Sequence, residues 1–353
     1  LAGQFNHQQF LTRGTTEMTT KTVFNADVLK LDCEKETSRI ILKLRELLRD
    51  KLKRRGFIVA ISGGIDSSVT AALCVRAIGK ERVFTIQMPE KHSSSDTATL
   101  SSMLARHLEV DTVLTDISGI LEAVGFYKKY DNAVRSVIPE YGTGWKSKIV
   151  LPDIVRKATI SYYSIVAQSP QGEEIKQRLP LKPYLEILAA TNFKQRIRKM
   201  MEYYHADRLN YVTTGTPNRL EYDQGFFVKL GDGAADVKPI AHLYKTQVFE
   251  LAEYLGLPDE IRLRKPTTDT YSLPQGQDEF YFALTYDKMD LCLYAKNNGI
   301  SKEQTADATG LTPEEVERVF KDIDQKRATT NYLHLPPLLI DEVTEIGGRG
   351  GNP

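Results

Sequence analysis

Apolar and polar positions follow two rhythms along the chain. Ile40, Ile41, Leu44, Leu47, Leu48 and Leu52 recur at helical spacing with Arg and Lys between them, and Gly56 follows as a stop. The pattern predicts a helix that feeds Phe57 to Ile61, an unbroken run of residues suited to a buried strand. Beyond a short Ser/Gly stretch, Val69 to Ile78 reads as an apolar helix ended by Gly79. Val83 to Met88 is a second strand closed by Pro89, Asp96 to Leu108 a helix, and Val110 to Leu114 a third strand. Strand, helix, strand, helix, strand predicts an α/β fold with a doubly wound parallel sheet, whose ligands sit beyond the carboxyl ends of the strands.

The rhythm breaks over 126–190. This stretch carries Trp145, a Gly-rich turn at Tyr141 to Gly144, several prolines and a basic patch through Lys146, Lys148, Arg156 and Lys157. It reads as a long insertion: either a functional cap or subunit contact, or a partly ordered surface segment. Helical spacing returns from Asn192 to Leu209, and a fourth strand, Asn210 to Thr214, runs into a Gly215-Thr216 turn. Val248, Leu251, Ala252 and Leu255 form the core stripe of another helix, stopped by Gly256. Residues 265–279 are polar and Pro-bounded, the composition of a mobile lid. Tyr281 to Tyr294 reads as a buried helix, and Leu311 to Phe320 as another, with a capping signature at Thr312, Pro313 and Glu315. A single domain is therefore expected over 22–340, between a flexible or vector-derived leader, 1–21, and a Gly-rich tail, 341–353.

Composition narrows the picture by exclusion. With 47 basic and 46 acidic residues, a net charge of +1 offers no global attraction to nucleic acid or an anionic membrane. The three cysteines are scattered without a CxxC, which argues against a zinc site or a disulfide framework. No apolar run approaches the roughly 20 residues of a membrane span, and no signal peptide is read. A soluble, cytoplasmic chain is expected.

The candidate chemistry gathers at the first strand end. Ser62, Gly63, Gly64, Ile65, Asp66, Ser67 and Ser68 join a strand to a helix start. Adjacent glycines let backbone N–H groups approach an anion, and the helix points its positive end at the same place. A Walker loop would carry a Lys after its last Gly, and none is present. An Asp beside phosphates makes sense with a cation between them, and Mg²⁺ is the cation expected. Gly215 and Thr216 should face this loop, and Glu221 follows within reach, so Asp66 and Glu221 can share that cation. Lys229 and Lys245 flank a turn rich in Gly and Asp.

SGGIDSS resembles the pyrophosphate loop of the ATP pyrophosphatases, which have an adenine nucleotide alpha hydrolase-like fold. Together with NFKQRIR, GTPNRLE, GFFVKLGDGAAD, LYKTQV, KPTTD and YDKMD, in that order, it resembles the ammonia-dependent NAD synthetases, as a longer and divergent member. The resemblance implies adenylation of a carboxylate by ATP, release of pyrophosphate, and attack by ammonia to give an amide and AMP. It implies that Ser62, Gly63, Gly64, Asp66, Ser67, Ser68 and Thr216 bind ATP, with Asp66 and Glu221 on Mg²⁺. Lys245 and Thr267 would meet the departing phosphates, and Asp269 would orient the amine or accept its proton. Arg196, Arg198, Lys229, Asp232 and Asp236 would bind the acid, deamido-NAD in that family. A homodimer is implied as well. No glutaminase domain is read, so free ammonia or a separate glutaminase partner would supply the nitrogen.

Three departures accompany the resemblance. Residues 126–190 exceed the corresponding stretch of compact members, Val228 stands where Thr is usual, and Tyr332 to Pro336 replaces a His-Lys-Arg cluster. Loss of two cations removes partners for an anionic substrate. The same chemistry on another carboxylate, such as a sugar acid, therefore stays open. A tRNA-modifying pyrophosphatase would call for a basic face, and a silent binding protein would not need Asp66, Glu221 and Lys245.

Overall fold

The computed structural model describes residues 24–150, 163–264, 271–273, 276, 284–341, 343 and 345. The leader 1–21, Arg156, Lys157, Thr267, Asp269 and the end of the tail lie outside the described residues.

Helix α1, Cys33–Glu46, begins at Asp32, whose carboxylate accepts the Lys35 amide. It continues into a wider π-helical turn, Leu47–Leu52, that ends at Lys53 in the left-handed region. Strand β1, Phe57–Ala60, follows, then α2, Ile65–Ile78, β2, Val83–Gln87, α3, Ser95–His107, and β3, Asp111–Leu114. Alternation along β1 decides what covers each face of the sheet. Phe57 and Val59 point into one core with Ile40, Leu44, Val69 and Leu73, while Ile58 and Ile86 point into a second with Ile117, Phe126 and Ile197. Both faces are buried, as a doubly wound sheet requires.

The stretch 126–190 is more ordered than its sequence pattern suggests. After the short α4, Ser118–Ala123, it contains helix α5, Phe126–Arg135, and strands β4, Lys146–Val150, β5, Ser164–Gln168, and β6, Glu174–Arg178. The strands form an antiparallel sheet in the order β4-β5-β6. β5 and β6 escape a period-two reading because β5 is buried nearly throughout and β6 is almost fully exposed, so neither alternates. Helix α6, Leu181–Leu209, starts well before Asn192. Pro180 and Pro183 look like breaks in sequence, but at a cap and in a first turn they remove no needed N–H donor.

The chain then returns to the parallel sheet as β7, Val212–Thr213. It pairs with β1 through Phe57 opposite Val212 and Ile58 opposite Thr213, giving the order β3-β2-β1-β7, all parallel. The path runs outward from β1 to β3 and comes back on the other side of β1. The carboxyl ends of β1 and β7 thus flank the topological switch point, the expected crevice of such sheets. Beyond it lie α7, Arg219–Gln224, α8, Lys245–Tyr254, α9, Asp259–Arg262, α10, Tyr286–Asn297, α11, Lys302–Thr309, and α12, Pro313–His334. The capping signature at Thr312 is realised: Thr312 Oγ1 accepts the Glu315 amide and the Glu315 carboxylate accepts the Thr312 amide, at 3.2 and 2.8 Å. The helix nevertheless runs to His334, well beyond Phe320. Among the described residues no helix is long and apolar enough to cross a membrane.

Candidate functional site

The loop between β1 and α2 is shaped by its neighbours. Gly63 has φ +72°, and a Cβ there would lie 2.6 Å from Leu100 Cβ on α3, so any larger residue is excluded. The Gly64 carbonyl accepts the hydroxyls of Ser67 and Ser68, at 2.9 and 2.8 Å. Ser67 Oγ also accepts the Ser62 amide at 3.3 Å. Ser68 is completely buried and acts within the protein, while the half-buried Gly64 caps α2 with no side chain bonded to the first-turn amides. Those amides and the helix dipole suit an anion.

Asp66, on the first turn of α2, is where the separate elements meet. Its carboxylate accepts Asn218 Nδ2 at 3.1 Å on one oxygen and the Lys245 ammonium on the other. Asn218 caps α7 in a full capping box. Its amide donates to Glu221 Oε2 at 3.1 Å, and its Oδ1 accepts the Glu221 amide at 3.2 Å. The structure thus brings Asp66 and Glu221 together through one asparagine. Thr216, half-buried beyond β7, lies on the same edge, and the preceding Gly215 amide donates to Val237 O at 2.8 Å.

Lys245 has no exposed surface, and its ammonium sits 5.3 Å from the centre of the Tyr286 ring. It opens α8, and the buried Asp290 of α10 accepts the amides of Lys245 and Thr246, at 3.3 and 2.8 Å. Burial pushes the Asp290 carboxyl up to about 6, against the opposing pull of those bonds and of the lysine charge. Asn218 escapes a search for catalytic residue types, and Asp290, although it ends the YDKMD motif, is given no role by one. Asn218 does leave a trace, because N-x-x-E before an apolar run is a helix-start signature.

The residues expected to hold the acid are arranged differently. Arg196 and Arg198 leave α6 to meet carbonyls: Arg196 Nε donates to Lys229 O and Arg198 Nε to Met88 O, both at 3.3 Å. Asp232 accepts the Val228 amide at 2.8 Å, and burial raises its carboxyl despite the nearby Lys199 and Arg198. Asp236 accepts the amide and hydroxyl of Thr213, at 2.8 and 3.1 Å, and so holds the end of β7. Lys229 Nζ donates to the carbonyls of Tyr332 and Leu335, at 2.6 and 3.1 Å. The divergent C-terminal residues therefore do lie beside Lys229. A neighbouring cavity of about 340 Å³ is lined by Arg219, Tyr222, Asp223, Arg327 and His334. Arg327 is bidentate on Asp223, at 2.6 and 2.8 Å, and Arg219 approaches the same carboxylate at 3.5 Å. Two guanidinium groups on one carboxylate leave a positive excess where the sequence pattern points to lost cations.

An uncapped helix start at the switch point of a parallel sheet, faced by linked carboxylates and a buried lysine, defines an α/β protein of the class that handles nucleotide phosphates. Comparison with known proteins makes this specific. The profile of the family described as NAD synthase matches residues 37–139 and 155–330. The chain is 52% identical over 319 residues to the NH(3)-dependent NAD(+) synthetase of Rhizobium rhizogenes, covering 90% of this chain and 96% of that protein. To the enzyme of the same name from Thermotoga maritima it is 33% identical over 85% of this chain and 99% of the relative. The chain belongs to the NAD synthase family. Its fold is also similar to NMN synthetase from Francisella tularensis, with TM-score 0.60 and 19% identity, over 89% of this chain and all of the other. A second neighbour is the NH3-dependent NAD synthetase of Campylobacter jejuni in complex with nitrate, with TM-score 0.58 and 21% identity, over 88% of this chain and 100% of that one.

Proposed function

We propose that this chain amidates deamido-NAD to NAD, using ATP and ammonia and releasing AMP and pyrophosphate. The observation that carries the proposal is the connected set Lys245, Asp66, Asn218 and Glu221 at the mouth of the glycine loop. A free carboxylate is a poor acyl donor because oxide would have to leave. Its oxygen therefore attacks the α-phosphorus of ATP, the bond to the β-phosphate oxygen breaks, and pyrophosphate departs with the charge. Ammonia next attacks the acyl carbon of the adenylate, loses a proton, and expels AMP to leave the amide.

The chain's own groups serve these steps in place. The amides opening α2 and the hydroxyl of Ser62 bind phosphate oxygens, Ser67 holds the loop through the Gly64 carbonyl, and Thr216 contacts the AMP part. Lys245, held by its burial and by Asp290, meets the charge that develops on pyrophosphate. Thr267 would add a donor and Asp269 would take the ammonia proton. Arg196, Arg198, Lys229, Asp232 and Asp236 form the wall against which the acid is placed.

Asp66 and Glu221 suit a magnesium ion that takes its remaining ligands from ATP and water. Two acidic groups joined by one asparagine provide part of an octahedral shell, and no cluster of three or more His, Cys, Asp or Glu ligands occurs among the described residues. The bound ion would neutralise phosphate charge. A homodimer fits the exposed apolar face of α6, which includes Leu181, Leu185, Met200 and Tyr204. Near-zero net charge accords with a cytoplasmic enzyme that needs neither nucleic acid nor a membrane, with ammonia taken free or from a separate glutaminase.

The test is a reaction containing ATP, Mg²⁺, ammonium and deamido-NAD, in which AMP, pyrophosphate and NAD are followed together. Equal amounts of all three, lost in Asp66→Ala, are expected. ATP binding without NAD formation would sink the choice of acid and direct the search to other carboxylates.

A further inference from the structure

A second buried ionic cluster lies beside the site. The loop after β2 sends Glu90 and His92 inward, α6 sends Lys194, and α5 sends Phe126 and Tyr127. Lys194 Nζ is 2.7 Å from Glu90 Oε1, with side-chain exposures of 2% and 0%. The other Glu90 oxygen accepts Tyr127 Oη and the His92 amide, each at 3.0 Å. Lys194 also lies 3.4 Å from His92 Nδ1 and 5.1 Å from the centre of the Phe126 ring. Burial and the lysine charge keep His92 neutral, down to about 4, so it accepts from the ammonium and does not repel it.

A buried ion pair is a weak way to gain stability, since an apolar pair of similar volume does as well or better. What it supplies is a single geometry. Here that geometry concerns the loop after β2, which is held from both sides at the edge of the site. Arg198 lies one helical turn beyond Lys194 on α6 and donates to Met88 O on the same loop. On the far side, α3 supports the phosphate loop where Leu100 meets Gly63. The segment 126–190 also reaches residues 272 and 273, where the Ser147 carbonyl accepts the Leu273 amide at 3.2 Å and the Ser147 amide donates to Ser272 Oγ at 2.9 Å.

We propose that Glu90 and Lys194 are a positioning pair: their buried contact sets where α6 meets the loop after β2, and so where Arg198 stands against the acid. The inference rests on the proposed function for the role of Arg198, and not for the geometry. Glu90→Gln and Lys194→Met each remove one charge of the pair and leave the other buried, whereas Glu90→Gln/Lys194→Met leaves neither charge.

Kinetics and hydrogen exchange of the single variants and the double variant test it. Each single variant should raise KM for deamido-NAD about tenfold and leave KM for ATP within about twofold. The double variant should recover most of the loss, the non-additivity expected of groups in contact. Amide exchange at Met88 and over residues 90–94 should quicken in the singles and return in the double. Variants that lose thermal stability but keep both KM values and wild-type exchange would reduce the pair to a structural contact and overturn the proposal. Should the wild type make no NAD, the proposed function falls, and the exchange arm still decides whether the pair fixes the loop.

Discussion

The two halves of the site are built from different materials. On the proposed ATP side, Asp66, Asn218, Glu221 and Lys245 all lie at the starts of helices; Asn218 and Lys245 bond to Asp66 side chain to side chain, and Asn218 and Glu221 each bond the other's amide. On the acid side, Arg196, Arg198 and Lys229 reach backbone carbonyls, and Asp236 holds the end of a strand. Side-chain bonds between helix starts demand particular residue types at particular places. Bonds to carbonyls are met by any residue that keeps the backbone path. The first half therefore tolerates little change, while the second can alter its sequence and keep its shape, as the C-terminal end of α12 does.

Lys245→Met should give the largest effect and tests whether the ATP half is indivisible. It removes the cation that the proposed function sets against pyrophosphate and leaves Asp66 with Asn218 alone. Loss of one preorganised group of this kind lowers kcat by on the order of 10²–10³. NAD and AMP production should fall together by about that factor, with unchanged mobility on gel filtration. A fall below tenfold would show that the ammonium serves packing more than chemistry.

The same division explains which features are legible in the amino-acid sequence. The β1 loop and the parallel order can be read there because local rules fix them: apolar runs, glycine punctuation and the edge rule for α/β sheets. Asn218 and Asp290 act across long sequence separations; Asn218 is not a usual catalytic type, and Asp290 serves by accepting backbone amides, a role that residue type does not reveal. The sheet β4-β5-β6 stays hidden because β5 and β6 are short and lack alternation, and the early start of α6 because its prolines occupy positions where a helix permits them. The pattern also misleads at the C-terminus. Absence of a His-Lys-Arg cluster suggests missing charge, yet Arg219 and Arg327 bring cations to that place from other elements.

Acid titration sharpens the comparison with a smaller effect. The Asp290 carboxyl is raised from an ordinary 3.8 to about 6, chiefly by burial, so the folded state binds its proton more tightly than the unfolded chain does. Its contribution to stability is complete below pH 3.8 and is lost as pH rises through about 6. Between pH 7 and 4 the wild type should gain up to about 3 kcal/mol relative to Asp290→Asn. Paired thermal or urea unfolding at those pH values measures it. Activity should move the opposite way, since a protonated Asp290 accepts the Lys245 and Thr246 amides less strongly. A stability difference independent of pH would show Asp290 ionised throughout, and its burial fully offset by its bonds.

Lys229→Met is expected to change least, and it asks whether the two halves can be separated at all. The ammonium lies near the surface and donates to two carbonyls at the end of α12, so its removal strands no buried charge and breaks no side-chain network. A partner for an anionic acid is lost, worth about 1–1.5 kcal/mol for one charge-assisted bond in a solvated setting. KM for deamido-NAD should therefore rise about tenfold, with KM for ATP unchanged and kcat reduced less than threefold. An interaction made equally in ground and transition states gives that pattern. If both KM values rose together, the C-terminal end of α12 would have to reach the ATP half through α7, where Asp223 binds Arg327 and lies two residues from Glu221. The acid side would then be as constrained as the other, and its freedom to vary would need a different explanation.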